Sequence, residues 1–268
     1  MSQKGRERVA AITGGASGLG RALAVEFARR GWRVVLSDVD DGGGAQTLDI
    51  VRSVGGDGAY HHVDVRDAEA VEAWAEEVYS TWGRCDALVN NAGVAAAGRI
   101  GVATLEDWRW CIDIDLFGPI HGCHAFVPRM QAQSLGHVVN VASIAAYAQA
   151  PHMGAYNVAK AGVVALSETL RGELLGTGIG VTVVCPAFFR TNIAASMRFA
   201  DPKEHKTTER LVGGAELDSS EVAIAVIEAI EHNRPFVVMP SQARFLFWAR
   251  RLLPARATEL LRAMSRLR

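Results

Sequence analysis

A chain of 268 residues, 49% hydrophobic and 21% charged, has the size and make-up of one large globular domain with a full core. Its net charge of -1 gives no general attraction to nucleic acid or to an anionic membrane, which excludes a nucleic-acid binder as the overall reading. The opening MSQKGRERVAA has no apolar signal-peptide core and no stretch approaches the roughly 18 apolar residues of a membrane span, so a soluble cytoplasmic protein is expected.

Apolar, β-branched runs recur at 8–13, 33–38, 59–63, 87–90, 137–142, 181–185 and 236–239, most of them too uniformly apolar for a sheet with one wet face. Helical spacings lie between them, for example Leu19, Leu23 and Phe27, then Val71, Trp74, Ala75 and Val78. Strand and helix alternate throughout. The expected fold is therefore α/β, a Rossmann-type doubly wound parallel sheet of about seven strands flanked by helices, in a single domain. Residues 1–240 form the main domain in this reading and 241–268 a basic amphipathic tail. Cys85, Cys111, Cys123 and Cys185 are widely spaced without a CxxC pair and are expected to be buried reduced thiols.

The first strand end carries TGGASGLG, residues 13–20, and four glycines in eight residues weaken any helix or strand. A bare turn lets a pyrophosphate approach the backbone, and the helix that follows offers free N–H groups with partial positive charge. An NTP-binding loop shares the G-x-x-x-x-G spacing of Gly15 to Gly20, but Arg21 and Ala22 stand where it needs Lys and Ser/Thr. The second strand ends in Asp38, where an acidic side chain accepts hydrogen bonds from an adenosine ribose. A 2′-phosphate there would meet a like charge at a cost of about 4 kcal/mol for an effective dielectric near 20, so NAD is expected over NADP. A plain glycine turn, and an Asp38 or Asp40 that only caps or solvates a turn, are the alternatives.

Tyr156 and Lys160 are four residues apart, on one face of a helix, and Ser143 precedes Tyr156 by thirteen. With these motifs the chain resembles the short-chain dehydrogenase/reductase family from about Val9 to Thr191. Thr13, Gly14, Gly18 and Gly20 match its glycine turn, Asp64-Val65 its adenine-side pair, and Asn90-Asn91-Ala92-Gly93 its N-N-A-G element. Pro186 to Thr191 resembles its P-G-x-x-x-T segment, with Ala187 in place of the Gly. The resemblance implies a cofactor cradle of Gly14, Ser17, Gly18, Leu19, Gly20, Asp38, Asp64, Val65, Asn91, Ala92, Gly93, Tyr156, Lys160, Pro186 and Thr191. It also implies Tyr156 as acid/base, Ser143 as partner of the substrate oxygen and Lys160 on the nicotinamide ribose, in a homodimer or homotetramer.

A tyrosine hydroxyl with a pKa near 10 is too weak a base near neutrality. A lysine about 4 Å away contributes roughly 4 kcal/mol at a dielectric near 20, up to about three pKa units. The family's further catalytic residue is an Asn in N-L-x-G, and Asp115-Leu116-Phe117-Gly118 stands there. In the family that residue acts through its main-chain carbonyl, which Asp supplies equally, so activity is expected to survive with a shifted pH profile.

The resemblance implies that 188–211 is a substrate loop; its Phe188, Phe189, Ile193, Met197 and Phe199 suggest an apolar secondary alcohol or ketone, although a helix packed on the core explains them as well. His152 is a candidate substrate contact or an ordinary loop residue. His121 and His124 lack carboxylate company, so no metal is expected. The tail places Arg244, Arg250, Arg251, Arg256, Arg262, Arg266 and Arg268 against Glu259, and reads first as a helix packed on its own domain, then as a subunit contact, then as a membrane-surface contact. Two rival functions are a dinucleotide sensor without turnover and an epimerase or dehydratase of related fold.

Overall fold

All five residues of the first strand, β1 (Val9–Thr13), are buried, because the strand carries helices on both faces. Alternation splits its side chains between two cores. Ala10 and Ile12 join Leu23, Phe27, Val226 and Ile227 on one face, while Val9 and Ala11 join Trp74, Phe126 and Met130 on the other. The computed structural model describes residues 7–187, 197–200 and 217–253.

The remaining strands are β2 (Arg33–Asp38), β3 (Gly58–His62), β4 (Ala87–Asn90), β5 (Ala96–Ala97), β6 (Gly136–Val141), β7 (Ile179–Pro186), β8 (Arg198–Phe199) and β9 (Phe236–Met239). Seven of them form one sheet in the order β3-β2-β1-β4-β6-β7-β9, with every pairing parallel. This is the doubly wound sheet expected from the sequence, with three of the seven runs matched to the residue and four differing by one or two residues at their ends. The pair β5 and β8 forms a separate two-stranded sheet that the sequence reading missed, since two residues carry no readable alternation.

The described helices are α1 (Gly18–Arg29), α2 (Asp41–Ser53), α3 (Ala68–Trp82), α4 (Leu105–Ile112), α5 (Gly118–Gln133), α6 (Ala145–Ala148), α7 (Gly154–Glu173), α8 (Ser219–Glu231) and α9 (Ser241–Leu252), with one π-helical turn at Asp113–Phe117 between α4 and α5. Aspartates start three of them: Asp40 accepts from Gly43 N, Asp67 from Glu69 N and Ala70 N, and Asp218 forms a capping box with Glu221. α9 buries Ala243 and Phe247, the latter against Tyr147 and Phe236 at centroid distances of 4.9 and 5.1 Å, while Phe245, Trp248 and Leu252 stay exposed. Its arginines bond to the protein: Arg244 to Val238 O, Arg250 to Tyr147 O and Arg251 to Glu168. The basic stretch from 254 to 268 lies outside the described residues.

β1 pairs with β2 on one side and β4 on the other, so the chain leaves β1 in opposite directions beyond this point. In parallel α/β sheets such a switch point leaves a crevice outside the strands' carboxyl ends, and ligands bind in that place.

Candidate active site

The glycine turn lies at this switch point, between β1 and the N-terminus of α1. Gly14 and Gly18 have φ of +67° and +51°, in the left-handed region that favours glycine. A Cβ on Gly14 would lie 2.7 Å from Ala92 Cα, and one on Gly20 would lie 2.0 Å from Gly14 O. Two of the glycines are therefore demanded by the chain's own contacts as well as by any ligand. Ser17 makes no side-chain cap bond to α1 and the first turn holds no acidic residue, which leaves its N–H groups available to an anion. Arg21 does not face such an anion: it donates to Ala16 O at 2.6 Å and to Thr47 Oγ1 at 2.9 Å, joining α1 to α2.

Asp38 ends β2 beside this turn. Its carboxylate accepts from Ala16 N at 2.9 Å, Val39 N at 2.8 Å and Asp40 N at 3.1 Å, using three of about four lone-pair positions. Asp40 is the residue that caps, and Asp38 instead fastens β2 to the glycine turn. Asn91, the residue after β4, does the same: its amide donates to Thr13 O and Gly14 O at 2.9 and 3.0 Å, while the Asn91 and Ala92 N–H groups donate to Thr13 Oγ1. Asp64 is gripped by Arg66, with Nη2 to Oδ2 at 2.5 Å, and that fork holds its carboxyl below the usual carboxylate range. Val65 O meets His121 Nδ1 at 2.9 Å, which gives this histidine a backbone partner.

Ser143 follows β6, accepts from Ala145 N at 3.1 Å and shares a hydrogen bond with Tyr156 on α7. One turn further along α7, the buried Lys160 donates to Val141 O at 3.1 Å and lies 3.1 Å from Asp115 Oδ2. Asp115 is fully buried on the π-helical turn, and its Oδ1 accepts from Val94 N at 2.7 Å. A Cβ on Gly93 would sit 3.2 Å from Lys160 Nζ and 3.4 Å from Asp115 Oδ1, so glycine lets this loop lie against the ion pair.

Burial raises the Tyr156 hydroxyl above its ordinary pKa; the Lys160 charge opposes this and the Asp115 charge adds to it. The lowering expected from Lys160 alone is thus outweighed by desolvation and partly offset by Asp115. Burial likewise raises Asp115, against the pull of Lys160 and the Val94 N–H. Lys160 ends above its ordinary value, burial lowering it while Asp115 and Tyr156 raise it by more.

Pro186 ends β7 and accepts from Ser143 Oγ at 3.4 Å and Ile144 N at 2.9 Å. The backbone of His152, at φ +68°, accepts from Gly98 N at 2.7 Å and so joins the loop before α7 to the segment after β5. Phe188, Phe189 and Thr191 lie outside the described residues.

Comparison with known proteins shows the family. A family model described as short chain dehydrogenase matches residues 8–201. The chain belongs to the short-chain dehydrogenase family. A "Probable oxidoreductase EphD" of Mycobacterium tuberculosis is 35% identical over the whole of this chain, which spans about half that relative's length, 47%. A 3beta-hydroxysteroid dehydrogenase 1 of Eggerthella lenta is 33% identical over 75% of this chain and 77% of its own. A crystal structure of a short-chain dehydrogenase/reductase from Burkholderia phymatum in complex with NAD superposes with a TM-score of 0.85 at 34% identity, covering 90% of this chain and 92% of that one.

Two features of this family member escaped the sequence reading. Trp108 and Trp110 on α4 pack in one cluster with Cys111, Ala96, Ala155 and Tyr156. The signal was present as two tryptophans in the three residues 108–110. The second is the Asp115 carboxylate: the reading placed this residue's contribution in its main chain, whereas its side chain touches Lys160.

Proposed function

We propose that the protein is an oxidoreductase that moves a hydride between NAD(H) and an apolar secondary alcohol or ketone. The observation that carries this reading is the convergence of Ser143, Tyr156 and Lys160 on the switch-point crevice that also receives the glycine turn and the N-terminus of α1. The uncapped first turn of α1 and the glycines at 14, 18 and 20 fit a pyrophosphate, and Asp38 fits an unphosphorylated ribose, with one acceptor position left. Bound there, the nicotinamide would supply the hydride chemistry.

The chain's own part is positioning and proton movement. Ser143 holds the substrate oxygen, Tyr156 takes or returns its proton, and Lys160, which donates to Val141 O and pairs in charge with Asp115, keeps N–H capacity for the nicotinamide ribose. Trp108 and Trp110 beside Tyr156 favour an apolar substrate, and the Eggerthella relative's name, a hydroxysteroid dehydrogenase, points the same way. Tyr156→Phe removes only the hydroxyl. With NAD and a panel of hydroxysteroids and other apolar secondary alcohols, it is expected to lower kcat by about 10²- to 10⁴-fold while NADH still binds. Turnover near wild type would remove Tyr156 from the chemistry.

A further inference from the structure

Lys160 and Asp115 form an ion pair out of reach of water, with side-chain exposures of 4% and 0%. Charges in such a place are hardly screened, and each is stranded if the other is removed. Both are held from a second direction, Lys160 by Val141 O at 3.1 Å and Asp115 by Val94 N at 2.7 Å. The pair therefore joins α7, β6, the loop after β4 and the π-helical turn. Asp115 Oδ2 has no hydrogen-bond partner of good geometry, and the nearby ammonium, 3.1 Å away, compensates it as a charge.

The consequence falls on Tyr156, whose ring centroid is 5.7 Å from Lys160 Nζ. An ammonium alone would favour tyrosinate, and a carboxylate against that ammonium cancels part of the effect. Among the described residues, the other groups acting on this pair and on Tyr156 carry no competing charge near neutrality. Cys111 on α4 and Cys185 on β7 are both pushed up by burial to about 12, and Ser143 contributes a hydrogen bond.

We propose that Asp115 is a positioning residue that fixes Lys160 through the buried ion pair and offsets its charge, so that Tyr156 keeps its proton near neutrality and is set to donate it to a carbonyl. The inference rests on the reading of Tyr156 as the acid/base. It gives the site a direction, ketone reduction near neutral pH, with alcohol oxidation needing more alkaline conditions.

The test follows tyrosinate absorbance against pH in the full-length protein. Subtracting the titration of Tyr156→Phe from wild type isolates Tyr156, and the same subtraction is made in the Asp115→Asn background. Asn is isosteric and keeps an acceptor for Val94 N–H. The Tyr156 midpoint is expected to fall by about one pH unit or more in Asp115→Asn. An unchanged or raised midpoint overturns the proposal. A purely structural Asp115 would change the melting temperature and leave the midpoint in place. If Asp115→Asn does not fold, Asp115→Ser, smaller and also uncharged, is measured with the same expectation. Failure of the underlying reading appears separately, as a Tyr156→Phe variant that still turns over substrate.

Discussion

His137 lies on β6 with 5% of its surface exposed, its Nε2 2.7 Å from Thr182 Oγ1, whose hydroxyl donates onward to Arg234 O at 2.6 Å. Burial, helped by the Arg171 charge, pushes this imidazole down to about 4 from 6.5, so it is neutral in the folded protein. On acidification the unfolded chain binds a proton at this site before the folded one does. The contribution to stability is therefore whole above pH 6.5 and is lost as pH falls from there toward 4. Urea unfolding at about pH 7 and about pH 5 is expected to show wild type losing about 2 kcal/mol more than His137→Gln over that interval. Equal losses would mean that His137 titrates alike in both states. At this scale the sequence was legible where one residue type answers one demand. Gly14 and Gly20 were read as bare backbone, and the close approaches of Ala92 and Gly14 O supply the reason. The Arg66 fork on Asp64 was not legible, because it depends on the path of a loop and no periodicity records that.

A buried polar chain links three elements behind the site. Asn90 on β4 donates to Asn140 Oδ1 at 2.8 Å, Asn140 on β6 donates to Ser167 Oγ at 3.0 Å, and Ser167 on α7 donates to Val163 O at 2.7 Å. Asn90 is thus a structural member of the N-N-A-G element, and its Oδ1 accounts for Gly122, where a Cβ would lie 2.1 Å away. Asn140→Ala leaves Asn90 and Ser167 short of partners in a dry place and is expected to cost about 2 to 3 kcal/mol. Urea denaturation measures this, and a loss below about 0.5 kcal/mol would show that the chain adds nothing net. The seven long strands could be read from sequence because burial on both faces writes uniformly apolar runs. The pair β5 and β8 and the π-helical turn could not: the first is too short for a period, and the second adds one residue to a helix without a marker in composition. That turn carries Asp115 inward, so the ion pair with Lys160 was hidden along with it.

For the whole molecule, alternation of strand and helix leads to a switch in strand order between β1 and its neighbours, and the switch gathers residues from 14 to 160 around one crevice. No helix among the described residues is long and apolar enough to cross a membrane. The chain spans about half the length of its EphD relative. The proposed function has the crevice seat an unphosphorylated dinucleotide, with Asp38 rejecting a 2′-phosphate. It is tested most directly by titrating NADH and NADPH into wild type and Asp38→Asn, following nicotinamide fluorescence. Wild type is expected to bind NADH at least about tenfold more tightly than NADPH, in line with a like-charge cost of about 4 kcal/mol at most, and Asp38→Asn to narrow the gap. Binding of neither dinucleotide would contradict it, leaving the glycines as a turn packed against Ala92 and Asp38 as its fastening.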